Sequence, residues 1–285
     1  MINPIVSVLM TAYNREIYIK HAIESVLNSS FTNFELIIVD DFSSDNTFNI
    51  AKEYSIKDSR ILLYKNSSNV GDYANRNIAA RFASGKFIMH VDSDDMINLN
   101  GIELCVNLMN TYPKSNFGVM CFEKDLKSCE MSSKNIIRTH LFSKPLLMVG
   151  PGGTIIKRSF FNEINGFPEK YGPANDSYFN LKAASLSSVV LITDEFLFYR
   201  RHENQEINKK NSYLFNSYNY LKDALLELNL PLTNKEKEYL MNKNRRRFFV
   251  NLVNYYLKNY NLSEINTALI NTKYTLYDLY KALFH

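Results

Sequence analysis

Short apolar runs alternate with amphipathic stretches through the first hundred residues of the chain. Runs rich in β-forming residues occupy positions 5–10, 34–39, 61–64 and 87–91. Between these runs, apolar residues recur every three or four positions, as they do on one face of a helix. The pattern predicts buried strands that alternate with helices over 15–28, around 48–54 and over about 72–84.

This alternation is typical of βαβ units, which build a mainly parallel sheet covered by helices on both faces. Right-handed crossovers place the carboxyl ends of the strands along one edge. The residues that follow these strands are Thr11 and Tyr13, then Asp40 and Asp41, and then the acidic segment 92–95. We therefore expect an α/β fold in which these residues meet at one rim, where open sheets bind their ligands.

Three carboxylates stand within four positions at the end of the fourth strand, in Asp92-Ser93-Asp94-Asp95. Carboxylates this close repel one another unless a cation neutralises them. Mg2+ and Mn2+ prefer oxygen ligands, so the segment is a candidate metal site. The alternative is an acidic turn that caps the following helix, because aspartate is a good N-cap residue.

The middle of the chain is less regular. It indicates helices over about 99–111 and 176–186, and strands at 117–122, 154–157, 189–192 and 196–199. Residues 124–147 give no clear assignment. The stretch Gly150-Pro-Gly-Gly153 predicts a loop whose backbone can approach a ligand closely, since glycine has no side chain to obstruct it.

The character changes after about residue 208, where glycine is absent and apolar residues follow a helical spacing. One stripe contains Leu214, Tyr218, Leu221, Leu225 and Leu228, and another contains Ile265, Leu269, Thr272, Leu276, Leu279 and Leu283. These stripes predict three or so amphipathic helices, with Arg245-Arg-Arg-Phe-Phe249 at the head of a middle one. We therefore divide the chain into a domain of residues 1–208, with halves 1–100 and 101–208, and a helical subdomain of residues 209–285.

Composition excludes several classes of protein. The net charge of +4 over 285 residues is too small to indicate a nucleic-acid partner. Cys105, Cys121 and Cys129 match no zinc spacing, and their odd, sparse number suits a reducing compartment. The sequence shows neither a signal peptide nor an apolar run long enough to span a bilayer. We expect a cytoplasmic protein, with peripheral contact at the inner face of the cell membrane left open.

The motifs resemble those of the family 2 glycosyltransferases, a large group of mostly inverting enzymes with the nucleotide-sugar-binding GT-A fold. Four segments carry the resemblance over about the first 100 residues: Val6-Ser-Val-Leu-Met-Thr-Ala-Tyr-Asn14, Phe34-Glu-Leu-Ile-Ile-Val-Asp-Asp-Phe-Ser-Ser-Asp-Asn-Thr47, Asn69-Val-Gly71 through Ala83-Ser-Gly-Lys-Phe87, and Val91-Asp-Ser-Asp-Asp95. The last is similar to the D-x-D element, while Phe42 stands where glycine is usual. Weaker matches at Gly152-Gly153, Gly166-Phe-Pro168, Asn175-Asp176 and Tyr199-Arg-Arg-His202 extend the resemblance to about residue 205.

This resemblance implies a GT-A fold, with a mainly parallel mixed sheet flanked by helices, and a UDP-sugar as donor. The residues implied in donor binding are Thr11, Tyr13, Asp41, Arg76, Asp92, Ser93, Asp94, Gly153 and Arg201. Within this set, Asp41 would accept a hydrogen bond from a uracil N–H. Asp94, with Asp92 and His202, would bind Mn2+ or Mg2+. On the residues alone, Asp41 could instead be a helix-cap partner and Arg76 a solvated helix charge.

Asp176 is the candidate catalytic base that the resemblance implies. Inversion at the anomeric carbon requires a single displacement, so the acceptor hydroxyl must lose its proton as it attacks. A carboxylate at the start of a helix can accept that proton. The family usually has glutamate before this aspartate, whereas Asn175 stands there in this chain. The alternative interpretation of Asp176 is a plain N-cap residue.

The sequence therefore predicts a metal-dependent inverting glycosyltransferase that acts on a hydroxyl of a glycan or lipid-linked acceptor in the synthesis of a surface polysaccharide such as capsule, O-antigen or teichoic acid. A sugar nucleotidyltransferase would normally carry a glycine-rich basic phosphate loop near its N-terminus, which is not seen at residues 11–15. A receiver-like signalling domain would leave residues 120–285 unexplained. Intact carboxylates at positions 41, 92, 94 and 176 argue against a non-catalytic scaffold subunit.

The helical subdomain has three candidate roles. Its leucine stripes could pack on the catalytic domain, which is the commonest use of such stripes, or pair with a second copy of the chain. The run Arg245-Arg-Arg-Phe-Phe249, with Lys243 and Lys258 nearby, would also suit an anionic bilayer surface. The alternative for that run is a solvated basic helix face.

Overall fold

A computed structural model describes residues 3–123, 125–202 and 213–284. In these ranges the strands are β1 (Val6–Ala12), β2 (Phe34–Asp40), β3 (Ile61–Lys65), β4 (Phe87–His90), β5 (Met96–Ile97), β6 (Phe117–Met120), β7 (Cys129–Met131), β8 (Thr154–Lys157), β9 (Val189–Ile192) and β10 (Leu197–Phe198). The helices are α1 (Ile19–Leu27), α2 (Thr47–Lys57), α3 (Asp72–Phe82), α4 (Gly101–Thr111), α5 (Ser133–Phe142), α6 (Arg158–Glu163), α7 (Asn175–Leu186), α8 (Tyr213–Glu227), α9 (Asn234–Asn259), α10 (Leu262–Thr272) and α11 (Leu276–Phe284). The expected boundary between residues 208 and 209 lies outside the described residues.

The main sheet contains eight strands of the described chain in the order β3-β2-β1-β4-β8-β6-β9-β7. Strands β1 to β4 are parallel to one another. Strand β8 runs antiparallel to both β4 and β6, and β7 runs antiparallel to β9. Six strands therefore share one direction, and the predicted mainly parallel α/β sheet is confirmed. Strands β5 and β10 form a separate antiparallel ladder beside it.

Apolar side chains cover both faces of the sheet. Along β2, Ile37 and Val39 enter one core cluster, whereas Leu36 and Ile38 enter the other. All four side chains are fully buried. Burial of one such side chain stabilises the fold by about 1.5–3 kcal/mol. The near-continuous apolar character of the strand follows from this burial on both faces.

The turn before β4 fixes that strand closely against β1. Gly85 donates its backbone N–H to the Ser7 hydroxyl at 2.9 Å. A Cβ atom on Gly85 would lie 2.7 Å from the backbone nitrogen of Ser7, which is too close for any side chain. Val6 and Phe87 are register partners in the two strands. Glycine at this position therefore allows the approach that brings the carboxyl ends of β1 and β4 to the same rim.

The C-terminal part of the described chain is helical, as expected, but differs in detail. It contains four helices, α8 to α11, where three or so were predicted. The run 245–247 lies in the middle of the 26-residue α9 and not at its head, because a capping box at Thr233 and Glu236 starts the helix earlier. Tyr220, Ala224 and Leu225 of α8 belong to one of the two core clusters that cover the main sheet.

Residues 124–147, which the sequence left unassigned, contain β7 and α5. Strand β7 has only three residues, none of them buried, so it carries no apolar alternation. Helix α5 begins after Ser132, whose side chain accepts a hydrogen bond from the backbone N–H of Asn135. Two short 3-10 helices, Pro151–Gly153 and Gly172–Ala174, occupy the two glycine-containing loops.

Candidate active site

The carboxyl ends of β1, β2 and β4 bring together residues that are far apart in sequence. Thr11 is paired with Val39 and is largely buried at the end of β1. Tyr13, two residues later, leaves 47% of its side chain exposed above the rim. The backbone N–H of Asp41 donates to the Ala12 carbonyl at 2.7 Å, which ties the two loops together. The predicted grouping of these residues at one edge is therefore seen in the structure, while their ligand roles stay predictions.

Asp41 is buried and its carboxylate is held by three N–H donors. Oδ1 accepts from the Asn66 side chain at 2.8 Å and the Val70 backbone at 2.9 Å, and Oδ2 accepts from the Gly71 backbone at 3.0 Å. Asp41 thereby orders the loop that begins α3. Beside it, Phe42 has a φ of 63°, in the left-handed region that favours glycine. This geometry gives a physical reason for glycine at the equivalent place in the resembling family.

Arg76 of α3 joins two carboxylates beneath the rim. Its guanidinium lies 2.7 Å from Asp92 Oδ1 and 2.9 Å from Asp72 Oδ1, and the side chain is nearly fully buried. Burial alone would raise the pKa of Asp92, but the Arg76 charge outweighs it and holds that pKa below its usual value. Arg76 is therefore a buried, paired charge, and the alternative interpretation of this residue as a solvated helix charge is wrong.

Asp94 is the meeting point of three distant segments. Its Oδ2 atom lies 3.0 Å from Nε2 of His202 and 3.0 Å from Nε of Arg15. The His202 ring also stacks on Tyr18, with ring centroids 4.5 Å apart. Nε of Arg200 donates to the Asp94 carbonyl at 3.0 Å. The segment around residues 200–202 is thus docked directly on the acidic turn.

The other predicted donor-side residues differ in exposure. Ser93 and Gly153 are buried, whereas Arg201 is exposed. Asp95 is buried too, and its Oδ1 accepts from the Arg200 backbone N–H at 3.0 Å. Burial and the neighbouring charge of Asp92 raise the pKa of Asp95 to about 8. Asp95 is therefore engaged by the backbone of Arg200 and does not share the metal-binding role that is expected for Asp94.

The structure fits a metal that is shared with a substrate better than one held by protein alone. In residues 3–123, 125–202 and 213–284, no group of three or more His, Cys, Asp or Glu side chains is arranged to hold an ion. The predicted trio is divided, because Asp92 turns to Arg76 while Asp94 and His202 meet. One carboxylate oxygen and one imidazole nitrogen suit Mn2+, and Mg2+ also is usually bound by one or two carboxylates plus substrate phosphates.

Asp176 lies in the first turn of α7, away from the acidic turn in sequence but within electrostatic reach of Arg76. Its Oδ1 accepts hydrogen bonds from the backbone N–H of Ser177 at 2.5 Å and from the Ser177 hydroxyl at 3.1 Å. Burial raises the pKa of Asp176 to about 6, even though these hydrogen bonds favour the charged form. A carboxylate with this pKa can accept a proton near neutral pH.

Sequence reasoning missed Arg15, Tyr18 and the side-chain role of Arg200. Arg15 follows the first rim loop directly, and its backbone N–H donates to the Thr47 hydroxyl at 2.7 Å. A cation two residues beyond Tyr13 could have been noted, because the carboxylates predicted for the same rim call for a counter-charge. The contact of Tyr18 with His202 carries no signal in the sequence.

The sheet order and the strand-end rim are those of the GT-A fold. The profile of the "Glycosyl transferase family 2" matches residues 7–164. The chain belongs to this family. The match contains the rim segments at 11–15, 40–42 and 92–95, whereas Asp176 and the C-terminal helices lie beyond it.

One relative with a named activity agrees with this assignment. The chain is 43% identical over 105 residues to UDP-Glc:alpha-D-GlcNAc-diphosphoundecaprenol beta-1,3-glucosyltransferase WfgD of Escherichia coli, an alignment that covers 37% of this chain and 41% of that protein. The chain thus spans about two fifths of this relative's length.

Two solved structures share the fold. S. aureus TarS 1-349 in complex with UDP-GlcNAc is similar with a TM-score of 0.72 at 22% identity, over 93% of this chain and 79% of that one. A mannosyltransferase from Pyrobaculum calidifontis, in complex with GDP-Man and Mn2+, gives a TM-score of 0.65 at 14% identity, over 99% and 88% of the two chains. At these identities the likeness shows the GT-A fold alone.

Proposed function

We propose that this protein is a metal-dependent inverting glycosyltransferase, which moves a sugar from a UDP-sugar to a hydroxyl of a glycan or lipid-linked acceptor in surface-polysaccharide synthesis. The observation that carries the proposal is the contact of His202 Nε2 with Asp94 Oδ2 at 3.0 Å. The two residues are 108 positions apart, and their meeting at the strand-end rim supplies a mixed oxygen and nitrogen ligand pair. Family membership favours sugar transfer over the alternative, a sugar nucleotidyltransferase.

In this proposal the two halves of the reaction use different residues. Asp94 and His202, with Asp92 nearby, would hold Mn2+ or Mg2+, which when bound neutralises charge that develops on the departing diphosphate. Asp176 accepts the proton of the acceptor hydroxyl while the acceptor oxygen forms a bond to the anomeric carbon. The bond between that carbon and the diphosphate breaks in the same step, so UDP leaves from the opposite face and the configuration inverts.

On the donor side, Thr11, Tyr13 and Asp41 are proposed to hold the base and Arg76 the phosphates or base. Asp41 suits this role because its carboxylate orientation is fixed by donors from the loop before α3. Tyr13 suits it because its ring stays exposed at the rim. Ser93, Gly153 and Arg201 are proposed to lie against the remainder of the donor.

A nucleotide screen by thermal shift tests the central proposal. UDP or a UDP-sugar should raise the unfolding midpoint in the presence of Mn2+ and much less in its absence, because a ligand that binds only the folded state stabilises it by mass action. GDP, CDP and ADP serve as matched nucleotide controls. An equal response to all four nucleotides, or a uridine response that is indifferent to metal, would contradict the proposal.

The C-terminal helices are proposed to contact a membrane surface peripherally. No helix of the described residues is both long and apolar enough to cross a bilayer. However, α11 exposes Leu276 by 86% and Phe284 by 69%. An apolar cleft of about 430 Å3 lies between α9, α10 and α11. Exposed lysines at 243 and 258 supply positive charge on α9, which suits an anionic lipid surface.

Vesicle co-sedimentation checks this surface. We expect the protein to bind phosphatidylglycerol vesicles more strongly than phosphatidylcholine vesicles, and Leu276→Glu with Phe284→Glu to weaken binding at least about tenfold, since buried apolar area drives such contacts. Ile56→Glu, at a residue 77% exposed on α2, is the matched control. Equal binding by both variants would contradict a membrane role for α11. Loss of a dimer in the α11 variant alone would assign the surface to self-association instead.

A further inference from the structure

The short turn that follows residue 150 lies over the carboxyl end of β4. It is the 3-10 helix Pro151–Gly153. A Cβ atom on Gly152 would lie 3.8 Å from the His90 carbonyl oxygen and 2.9 Å from the Leu197 Cδ2 atom. His90 is the last residue of β4, two positions before Asp92. The turn therefore borders the donor rim.

Helix α7 holds the chain just before this turn. The buried Asn180 side chain donates hydrogen bonds to the Leu147 and Val149 carbonyls, at 3.0 Å and 2.9 Å. The same helix carries Asp176 in its first turn. Residues 150–153 therefore lie between the residues proposed to bind the donor and the proposed base.

Gly150 differs from the two other glycines of this segment. A Cβ atom on Gly152 or Gly153 would meet protein atoms at 2.9 Å or 3.3 Å. A Cβ atom on Gly150 would have one heavy atom of the described residues within 4 Å, outside its chain neighbours, and this is Asp176 Oδ2 at 3.9 Å. Gly150 is exposed, and its φ of −72° and ψ of 173° suit any residue. Neither packing nor backbone conformation therefore explains glycine at this position.

The two carboxylate oxygens of Asp176 have different surroundings. Oδ1 accepts two hydrogen bonds from Ser177, at 2.5 Å and 3.1 Å. Oδ2 faces the open space beside Gly150. A hydroxyl that donates to Oδ2 brings its oxygen within about 2.5–3.0 Å of that atom. The carbon atoms next to such a hydroxyl need the space around Oδ2, and a side chain at position 150 would take up part of it.

We infer that Gly150 is a specificity-determining residue, which keeps open the passage through which the acceptor hydroxyl reaches Asp176. The inference rests on the proposed transfer function. The acceptor oxygen forms a bond to the anomeric carbon, its proton passes to Asp176 Oδ2, and the bond to the diphosphate breaks so that UDP leaves. Water can follow the same course and yields the free sugar. Because water carries no carbon atoms, it needs less of this space than an alcohol, so a side chain at position 150 should favour hydrolysis over transfer.

Competition between water and small alcohols tests the passage without a known acceptor. The protein is incubated with Mn2+ and UDP-Glc, UDP-Gal or UDP-GlcNAc in aqueous methanol and in aqueous glycerol. The readout is the ratio of alkyl glycoside to free sugar, which does not depend on the total rate. Gly150→Val should lower the ratio for glycerol at least about tenfold and Gly150→Ala about threefold, since small displacements of reacting groups cost this much or more. The ratio for methanol should fall less, because methanol is smaller.

Two further measurements separate a steric role from a structural one. The UDP affinity and the unfolding midpoint should stay unchanged in both variants, because valine and alanine adopt the extended conformation that Pro151 imposes on the residue before it. Met148→Val, at a residue 56% exposed and two positions earlier, introduces the same side chain outside the opening. Its product ratios should equal those of the wild type.

An unchanged ratio in Gly150→Val, or a wild type that forms only free sugar, would overturn the inference and leave the proposed function standing. Complete loss of UDP release by Gly150→Val with intact UDP binding would also overturn it, because position 150 would then act on Asp176 itself. If the wild type releases UDP from none of the UDP-sugars, the proposed function fails as well as the passage.

Discussion

Replacement of Asp176 by asparagine is expected to abolish sugar transfer while donor binding persists. The carboxylate lies at the start of α7 with Oδ1 fixed by Ser177, and asparagine keeps its size and its acceptor oxygen but cannot take up a proton. Loss of a general base typically slows a reaction by about a hundred- to ten-thousandfold. Rates of transfer and of UDP binding, measured on the same preparation, give the comparison.

The pH dependence of the transfer rate should also reveal the titration of Asp176. An acid whose folded pKa is raised to about 6 is protonated below that pH and charged above it. Activity that requires the charged form should therefore fall about tenfold for each pH unit below 6 and level off above it. The conservative variant should lack this limb, since asparagine does not titrate.

Asp58→Asn provides the control for both measurements. Asp58 follows α2 and pairs with Arg60 at 2.7 Å, so the same chemical change falls outside the rim. We expect normal transfer and a normal pH profile for it. Substantial transfer by Asp176→Asn would remove Asp176 as the base and transfer the role to another carboxylate near the acceptor side.

Replacement of Asp94 by asparagine should weaken metal-dependent donor binding by about a hundredfold, because an anionic ligand is lost. The change also weakens the ion pair with Arg15 and the contact with His202, both at 3.0 Å from Oδ2. Titration of UDP at several Mn2+ concentrations measures the effect. Binding of UDP without metal should change much less.

Asp95→Asn is the matched control, one residue away. Asp95 Oδ1 only accepts the backbone N–H of Arg200, and an amide oxygen can accept the same bond. This variant should keep metal-dependent donor binding within a few-fold of the wild type. Equal losses for the two variants would mean that the acidic turn acts through its fold and not through Asp94 as a ligand.

The N-terminal half of the fold could be predicted because each element has a strong local signal. Strands β1, β2 and β4 are apolar runs buried on both faces, while β3 at the sheet edge is only partly buried. The common direction of the four strands follows from the helices between them. The sequence alone therefore places Thr11, Asp41 and Asp94 on one rim. The antiparallel insertion of β8 between β4 and β6 has no such local signal, since strand direction depends on the whole path of the chain.

The side-chain partners within the site could be predicted only in part. The contact of Asp94 with His202 brings together two of the three residues predicted to bind the metal. The third, Asp92, turns toward Arg76 because that buried charge on α3 needs a counter-ion. Arg15 occupies the same carboxylate oxygen as His202, which only packing of the first loop reveals. The sequence predicts three or so C-terminal helices where the described residues contain four. A stripe of apolar residues indicates which face of a helix is buried, but it does not indicate where the helix ends.

Helix α8 contacts the loop before Asp176, where the Tyr171 hydroxyl donates to Asp223 at 2.9 Å, and this contact has an evolutionary consequence. The donor rim lies inside the segment that the family model matches, whereas α7 with Asp176 and helix α8 lie outside it. Substitutions in the C-terminal helices could therefore alter acceptor choice without disturbing the residues proposed to hold the nucleotide. A lineage that exchanged these helices would gain a new glycan substrate on an old donor site, so acceptor range should diverge faster than donor preference among close relatives.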